Sequence, residues 1–474
     1  MANDEWFDYD LVIIGTGGAG MATAIRGDEL GARVAIVEGG EEVGGTCVNV
    51  GCIPSKLLIE AAASYHEART CLPGATADAS QSVWELALAR KRAVVGKLRQ
   101  EKYLDVLPFY AGVSLLRGRA ELLGAGRVRV GDEELGARKV VIATGATPAM
   151  PPIPGLAEAG ALTSTSAMEI EKLPASMIVL GAGAIGLELG QMFARFGVTV
   201  NVLDVAPRIL PSEDPELSRV LADALTEEGL TLRTSVRVTR VARHEAGYRV
   251  EVERGGARET LRAEQLLVAT GRRANTSGLG LDRAGVELDE QGFVRVDEFM
   301  RTSNPDVFAA GDVTGGPQFV YVAAAGGGIA AQAALADGMG RGAAQLDLSV
   351  TPRVVFTDPQ LAAVGLTEAE ARAVGREPTV VTLPVAAMSR AVVSGRDRGL
   401  IKLVAEVGSN HLLGAHVVSA NAGDIIGEAT LAVRFGLTTD DLVTTLHPYL
   451  TWAEGLKLAA QTSSKDVAKL SCCA

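Results

Sequence analysis

A chain of 474 residues is too long for one compact core, and at roughly 100–200 residues per domain it predicts about three. Hydrophobic residues at 47%, aromatics at 4% and 55 glycines read as an α/β protein with many tight strand-to-helix turns. A formal net charge of -12 repels nucleic acid and anionic membrane surfaces on average, and no stretch approaches the ~20 apolar residues of a membrane span.

The first residues, MANDEWFDYDLVIIG, carry acids where a secretory signal needs basic residues, and the apolar run ends at Gly15. The expectation is a cytoplasmic protein. In a reducing compartment its five cysteines point to chemistry or metal binding rather than structural disulfides. Cys71 stands alone and reads as a small buried hydrophobe.

An apolar run, LVII, leads to the glycines Gly15, Gly17 and Gly20, then to a helical stretch, a second apolar run and Glu38. Such glycines let the backbone approach a pyrophosphate, the helix start offers free N–H donors, and the acid accepts hydrogen bonds from a ribose. Next comes GGTCVNVGCIPSK (44–56), with Cys47 and Cys52 spaced CxxxxC and Pro54 near the first turn of a predicted helix. A helix start favours a thiolate, so the pair reads as a dithiol that exchanges electrons with a flavin. A zinc site wants four ligands, of which this motif supplies two.

VVIATGATPAMPPIPG (140–155) reads as a strand, a turn and a Pro-rich crossing between domains. The first unit then repeats: Gly181, Gly183 and Gly186 match its glycines, Gly197 matches Gly31 and Asp204 matches Glu38. A lone GxGxxG is weak, but two copies in full strand-helix-strand-acid register imply two dinucleotides. LLVATGRRANT (266–276) marks a crossing back, and residues 302–331 give a strand ending at Gly311 and Asp312, then a helix. Asp312 could cap that helix or bind a ribityl hydroxyl. From about residue 350 onward, alternating runs predict an antiparallel sheet with helices and no nucleotide signature, free to make an interface. The chain stops at KLSCCA, where Cys472 and Cys473 are adjacent. Consecutive Cα atoms stand about 3.8 Å apart, below the disulfide range of roughly 4.4–6.8 Å, so this pair is better suited to holding something between two sulfurs or to a strained, easily reduced bridge.

In this order the motifs resemble the flavoprotein disulfide reductases, the glutathione reductase and dihydrolipoamide dehydrogenase group, over essentially the whole chain. The resemblance implies an FAD-binding domain over 1–150 and 275–348, an NAD(P)-binding domain over 151–274, and a C-terminal α+β dimerisation domain over 349–474 with a mobile Cys-Cys tail. The implied cofactor-binding residues are Gly15, Gly17, Gly20, Glu38, Thr46, Lys56, Gly145, Asp312 and Val320, together with Gly181, Gly183, Gly186, Asp204, Arg208 and Gly271. Electrons pass from NADPH or NADH to FAD and on to the dithiol, Cys52 lying against the flavin as the charge-transfer thiolate and Cys47 facing substrate. Lys56 and Glu188 match the family's ion pair near flavin N5.

Two departures narrow the resemblance. Disulfide-reducing relatives carry an HxHPTxxE segment whose second His relays protons, whereas this chain reads HPYLTWAEG with Tyr449 in that place. A phenol of pKa ~10 is a poor proton donor near neutral pH. His447 could in principle substitute, but its register matches the family's other His, so it reads as packing. With the terminal Cys-Cys, the pattern resembles the mercuric reductases of this group, which reduce Hg(II) to elemental mercury. Soft thiolates suit such a cation. The resemblance implies Cys47, Cys52, Cys472 and Cys473 as metal ligands and, with Tyr103, Tyr449, Lys56 and Glu188, as the catalytic set. It further implies a homodimer whose active sites are shared, the tail of one chain serving the dithiol of the other. The small N-terminal metal-binding domain of many such enzymes is not found before the FAD motif, so mercury is expected to arrive at the tail directly. Asp204 disfavours a 2′-phosphate and Arg208 is near enough in sequence to offset it, so NADH is expected at least to compete with NADPH. The alternatives are a large-type thioredoxin reductase, a dihydrolipoamide dehydrogenase, and a flavoprotein that only sequesters thiophilic metals.

Overall fold

A computed structural model describes residues 7–71, 79–124, 126–245, 247–336 and 344–465. Strand Tyr9–Ile14 lies parallel to Val34–Glu38 on one side and Glu133–Ile142 on the other. Leu11, Val12 and Ile13 are fully buried, as expected of a parallel strand covered on both faces. Val307–Ala309 joins the same sheet beside Glu133–Ile142, so the chain returns to its first sheet after the second repeat. The helices Gly18–Glu29 and Val320–Leu335 cross in backbone contact. A Cβ on Gly327 would lie 2.3 Å from the Ala19 carbonyl oxygen, and Thr23 Oγ1 donates to the Gly327 carbonyl at 3.0 Å.

The second repeat builds a five-stranded parallel sheet around Ser176–Leu180, Thr199–Leu203 and Gln265–Val268, covered on one side by an antiparallel meander over residues 237–263. Ala146–Pro148 and Arg272–Ala274 pair antiparallel, so the two crossings run side by side. The C-terminal unit is an antiparallel five-stranded sheet against the helix Ala422–Arg434. Ile425, Ile426 and Ala429 of that helix join its core. On the outward side Leu431, Phe435 and, beyond the helix, Leu446 are 57%, 70% and 93% exposed.

Aromatic packing locks the second repeat to the helix Cys52–Cys71, termed the redox helix after the CxxxxC motif that ends at its first residue. Trp84, fully buried on the neighbouring helix Ser80–Arg99, meets Phe193 and Phe196 with ring centroids 5.6 and 5.2 Å apart, and Tyr65 of the redox helix stacks on Phe196 at 5.8 Å. Such pairs contribute about 0.5–1.5 kcal/mol each beyond area burial. The rings also fix the orientation of the helix Ala184–Arg195, whose side chains reach the redox centre. Among the described residues, no helix is long and apolar enough to cross a membrane.

Candidate active site

The first glycine loop is a backbone cradle. Gly15 has φ +112, and a Cβ on Gly20 would lie 1.9 Å from the Gly15 carbonyl oxygen, so neither position admits a larger residue. Gly17 starts the helix Gly18–Glu29 without a side-chain cap, and Val320 begins a second uncapped helix close enough that a Cβ on Gly18 would touch Val320 Cγ2 at 3.0 Å. Two helix N-termini with free N–H groups thus converge where an anion is favoured. This arrangement fits the pyrophosphate of a dinucleotide. The Glu38 carboxylate accepts from Thr16 Oγ1 and from Gly40 N at 2.7 Å, and Gly44 N donates to Thr16 Oγ1 at 3.0 Å. Thr16, which the sequence did not single out, therefore ties the acid to the redox segment. That segment lies directly over the glycine loop, since a Cβ on Gly45 would come within 2.6 Å of the Gly17 Cα. Thr46 is half-buried in the short helix Gly45–Asn49 between them.

Cys47 is half-buried and Cys52 is exposed at the first residue of the redox helix, both as free thiols. Their side chains are hydrogen-bonded to one another, which lowers Cys52 to about 7, with the Lys56 ammonium a further favourable charge. The same hydrogen bond, with burial, pushes Cys47 up. The pair is thus one thiol and one thiolate near neutral pH. Lys56, one turn along, has its Nζ 2.7 Å from Glu188 Oε2. Glu188 is nearly buried on the second dinucleotide unit and also accepts from Phe356 N at 2.9 Å.

Tyr103 lies on a π-helical turn, Gln100–Leu104, that continues the helix Ser80–Arg99. Such turns commonly mark functional positions. Its ring is 3.4 Å from where a Cβ on Gly44 would stand. Burial raises its phenol, and the charge of Cys47 and Cys52 raises it further, so Tyr103 keeps its proton beside the dithiol. Arg99 anchors this turn to the redox segment, reaching Glu42 at 3.0 Å and Asn49 Oδ1 at 3.3 Å.

In the second loop Gly181 has φ +103, and a Cβ on Gly186 would lie 2.0 Å from the Gly181 carbonyl oxygen. Gly183 begins an uncapped helix and has nothing within 4 Å of its Cβ position. This too fits a dinucleotide. The Asp204 carboxylate accepts from Ala182 N at 2.6 Å and Ala206 N at 2.8 Å. The Arg208 guanidinium donates to the carbonyls of Pro211 and Glu213, near Leu210 in a left-handed conformation at φ +43.

Gly145 and Gly271 have φ +66 and +131 with open space at their Cβ positions, flanking the paired crossings. Burial raises the carboxyl of Asp312, while Arg272, 3.7 Å away, opposes the shift. His447 Nε2 meets Glu428 Oε1 at 2.7 Å and its Nδ1 meets the Thr445 carbonyl at 3.0 Å, so both ring nitrogens are engaged in packing. Tyr449 is half exposed on the C-terminal unit, and Cys472 and Cys473 lie outside the described residues. Among those residues no cluster of three or more His, Cys, Asp or Glu could hold a metal; the two sulfurs of the dithiol stand without such companions.

A family model described as pyridine nucleotide-disulphide oxidoreductase matches residues 9–327, and one for the dimerisation domain of the same family matches residues 351–460. The chain is 45% identical over 469 residues to a mercuric reductase of Staphylococcus aureus, covering 98% of this chain and 84% of the relative. It is 45% identical over 473 residues to a mercuric reductase of Streptomyces lividans, covering 98% of both. Among solved structures it is similar to the Cu(II) complex of the HOCl-induced flavoprotein disulfide reductase RclA from Escherichia coli, with 33% identity, a TM-score of 0.86, and 96% of this chain and 99% of that one covered. With its dithiol at a helix start, its two glycine cradles and its C-terminal dimerisation domain, the chain belongs to the pyridine nucleotide-disulphide oxidoreductase family.

Proposed function

We propose that this protein is an FAD-dependent NAD(P)H:mercury(II) oxidoreductase that reduces thiolate-bound Hg(II) to elemental mercury in the cytoplasm. The observation that carries the reading is a thiol-thiolate pair beside a protonated Tyr103, with Tyr449 in place of the proton-relaying His and His447 engaged by Glu428 and Thr445. Cleaving a disulfide needs a proton donor for the leaving thiolate. Reducing a metal ion does not, because the electron pair goes to the ion. The names of the curated relatives support the same substrate.

FAD, when bound, supplies the two-electron relay between nicotinamide and dithiol. Gly15, Gly17, Gly20, Glu38, Thr46, Lys56, Gly145, Asp312 and Val320 would hold it, and Gly181, Gly183, Gly186, Asp204 and Gly271 would hold the nicotinamide cofactor. Cys472 and Cys473 displace small thiolates from mercury and hand the ion inward by ligand exchange to Cys47, which faces it, and to Cys52, ionised near neutral pH. Cys47 releases its proton as its Hg–S bond forms, since metal binding requires the deprotonated ligand. That proton balances the thiolate set free. Overall, one NAD(P)H and one Hg(II) give NAD(P)+, Hg(0) and a proton. Tyr103, with its phenol held neutral, lines the path as a hydrogen-bond donor.

The enzyme works as a homodimer in which Cys472 and Cys473 of one chain deliver the ion to the dithiol of the other. The exposed Leu431, Phe435 and Leu446 support a second copy on that face. Asp204, an acid at the end of the second strand of that unit, supports use of NADH alongside NADPH, with Arg208 near enough in sequence to offset its charge toward a 2′-phosphate. The test is steady-state NAD(P)H oxidation by the FAD-loaded protein with either nicotinamide. Turnover is expected with Hg(II) in excess thiol and not with lipoamide or thioredoxin disulfide. The reverse pattern would overturn the assignment, and kcat/KM favouring NADPH by orders of magnitude would overturn the reading of Asp204.

A further inference from the structure

The Lys56–Glu188 pair is held by a residue from a third part of the chain. Phe356 follows the strand Arg353–Val355 and lies within the dimerisation domain. Its backbone N–H donates to Glu188 Oε1 at 2.9 Å, and its ring centroid stands 4.5 Å from Lys56 Nζ, while that Nζ is 2.7 Å from Glu188 Oε2. One residue thus touches both ends of the ion pair through different groups.

Its position is fixed from the same helix face. Glu188, Gln191 and Arg195 recur at i, i+3 and i+7, a single stripe. Gln191 accepts from Asp358 N at 2.8 Å and donates to the Asp358 carbonyl at 2.7 Å. Arg195 reaches Asp358 Oδ2 at 3.0 Å. The segment carrying Phe356 therefore cannot slide along the helix without breaking four hydrogen bonds.

A lysine ammonium on a flexible four-carbon stem is readily drawn into water, and Lys56 retains 33% side-chain exposure. The negative face of an aromatic ring within ~6 Å holds such a cation. We infer that Phe356 is a positioning residue whose ring keeps the Lys56 ammonium against Glu188, so that the dimerisation domain sets the charge met by electrons passing from nicotinamide through flavin to Cys47 and Cys52. The inference rests on the electron path of the proposed function and not on mercury as the acceptor. It is therefore tested without mercury, and its failure is distinguishable from failure of that reading.

A side-chain substitution leaves the Phe356 N–H in place, which isolates the ring. The FAD-loaded protein is compared as wild type, Phe356→Leu, Phe356→Tyr and a form with 3,4,5-trifluorophenylalanine at position 356, which nearly keeps the shape and drains the π face. Two quantities are read: the flavin midpoint potential by dye equilibration, and the single-turnover rate of flavin reduction by NADPH. A firmly held cation favours the form that has gained electrons. Phe356→Leu and the trifluorinated ring should therefore move the potential to more negative values and slow flavin reduction by about 2- to 30-fold, and Phe356→Tyr should restore both. In a Lys56→Met background Phe356→Leu should add nothing. Wild-type potential and rate in the trifluorinated form, or a full-sized effect of Phe356→Leu without the lysine, would overturn the inference. Should Phe356→Leu fail to bind FAD, the near-isosteric trifluorinated protein decides alone.

Discussion

Replacing Gly183 with alanine separates folding from nucleotide binding. Gly183 sits at φ -79, ψ -178, extended backbone that alanine adopts freely, and its Cβ position has nothing within 4 Å. The fold should therefore change by no more than about 0.5 kcal/mol. Under the proposed assignment the pyrophosphate of a nicotinamide cofactor would touch backbone N–H groups in that open space, and a methyl there would push it away. Losing one hydrogen bond to a charged group costs about 1.5–3 kcal/mol, or about 10- to 150-fold in Kd. The assay pairs thermal melting and FAD content with calorimetric titration of NADP+ and NAD+. Gly183→Ala should melt like wild type, retain FAD and bind either nicotinamide at least tenfold more weakly. Gly186→Ala should behave oppositely in the melt, because its Cβ would stand 2.0 Å from the Gly181 carbonyl oxygen, a distance only backbone movement can relieve. Unchanged nicotinamide affinity in Gly183→Ala, or a lowered melting temperature, would refute the reasoning.

Alkylation of the reduced dithiol by iodoacetamide should show Cys52 ionising at about 7, with the midpoint displaced upward in Lys56→Met because the ammonium favours the thiolate; a wild-type midpoint near the ordinary thiol value of about 8.5 would contradict this. Cys472→Ala/Cys473→Ala should cut turnover with thiol-bound Hg(II) by on the order of 100-fold, the gain a tethered ligand pair provides, while flavin reduction by NADPH is unchanged; equal turnover would remove the delivery role of the tail. Burial depresses His416, whose Nε2 faces the Leu366 carbonyl, below its unfolded value of about 6.5. Since the unfolded chain then binds more protons below that value, stability falls as pH drops through 6.5 and toward the folded pKa. His416→Asn should flatten the melting temperature against pH between 7 and 5, and an unaltered slope would show that another group controls it.

The dinucleotide units were legible because their chemistry is local. The glycines and the acid of each lie within one strand-helix-strand unit, and the steric limits at Gly15, Gly20, Gly181 and Gly186 are what that spacing encodes. The dithiol was legible for the same reason, with Cys52 and Pro54 at a helix start. Lys56 and Glu188 are 132 residues apart, and only resemblance paired them. Phe356 and the Gln191–Arg195–Asp358 ladder went unnoticed because nothing in the sequence around residue 356 reveals that a helix some 165 residues earlier faces it. Thr16 was overlooked between two glycines, although a hydroxyl there can reach both Glu38 and the redox segment. The hydrogen bonds of Arg208 to the carbonyls of Pro211 and Glu213 were not legible, since proximity along the chain does not determine direction. Tyr103 could be named but not placed, since its position depends on a π-helical turn that no side-chain periodicity announces.

In the proposed reaction the electron pair of a nicotinamide ends on a mercury ion held between cysteine sulfurs. The most direct measurement is elemental mercury swept from a sealed solution of FAD-loaded protein, mercuric salt, excess thiol and a limiting amount of NADPH or NADH. One mercury atom should be released for each nicotinamide oxidised, and none from Cys47→Ala or Cys52→Ala. Nicotinamide consumed without mercury vapour, or vapour that persists when either cysteine is replaced, would contradict it.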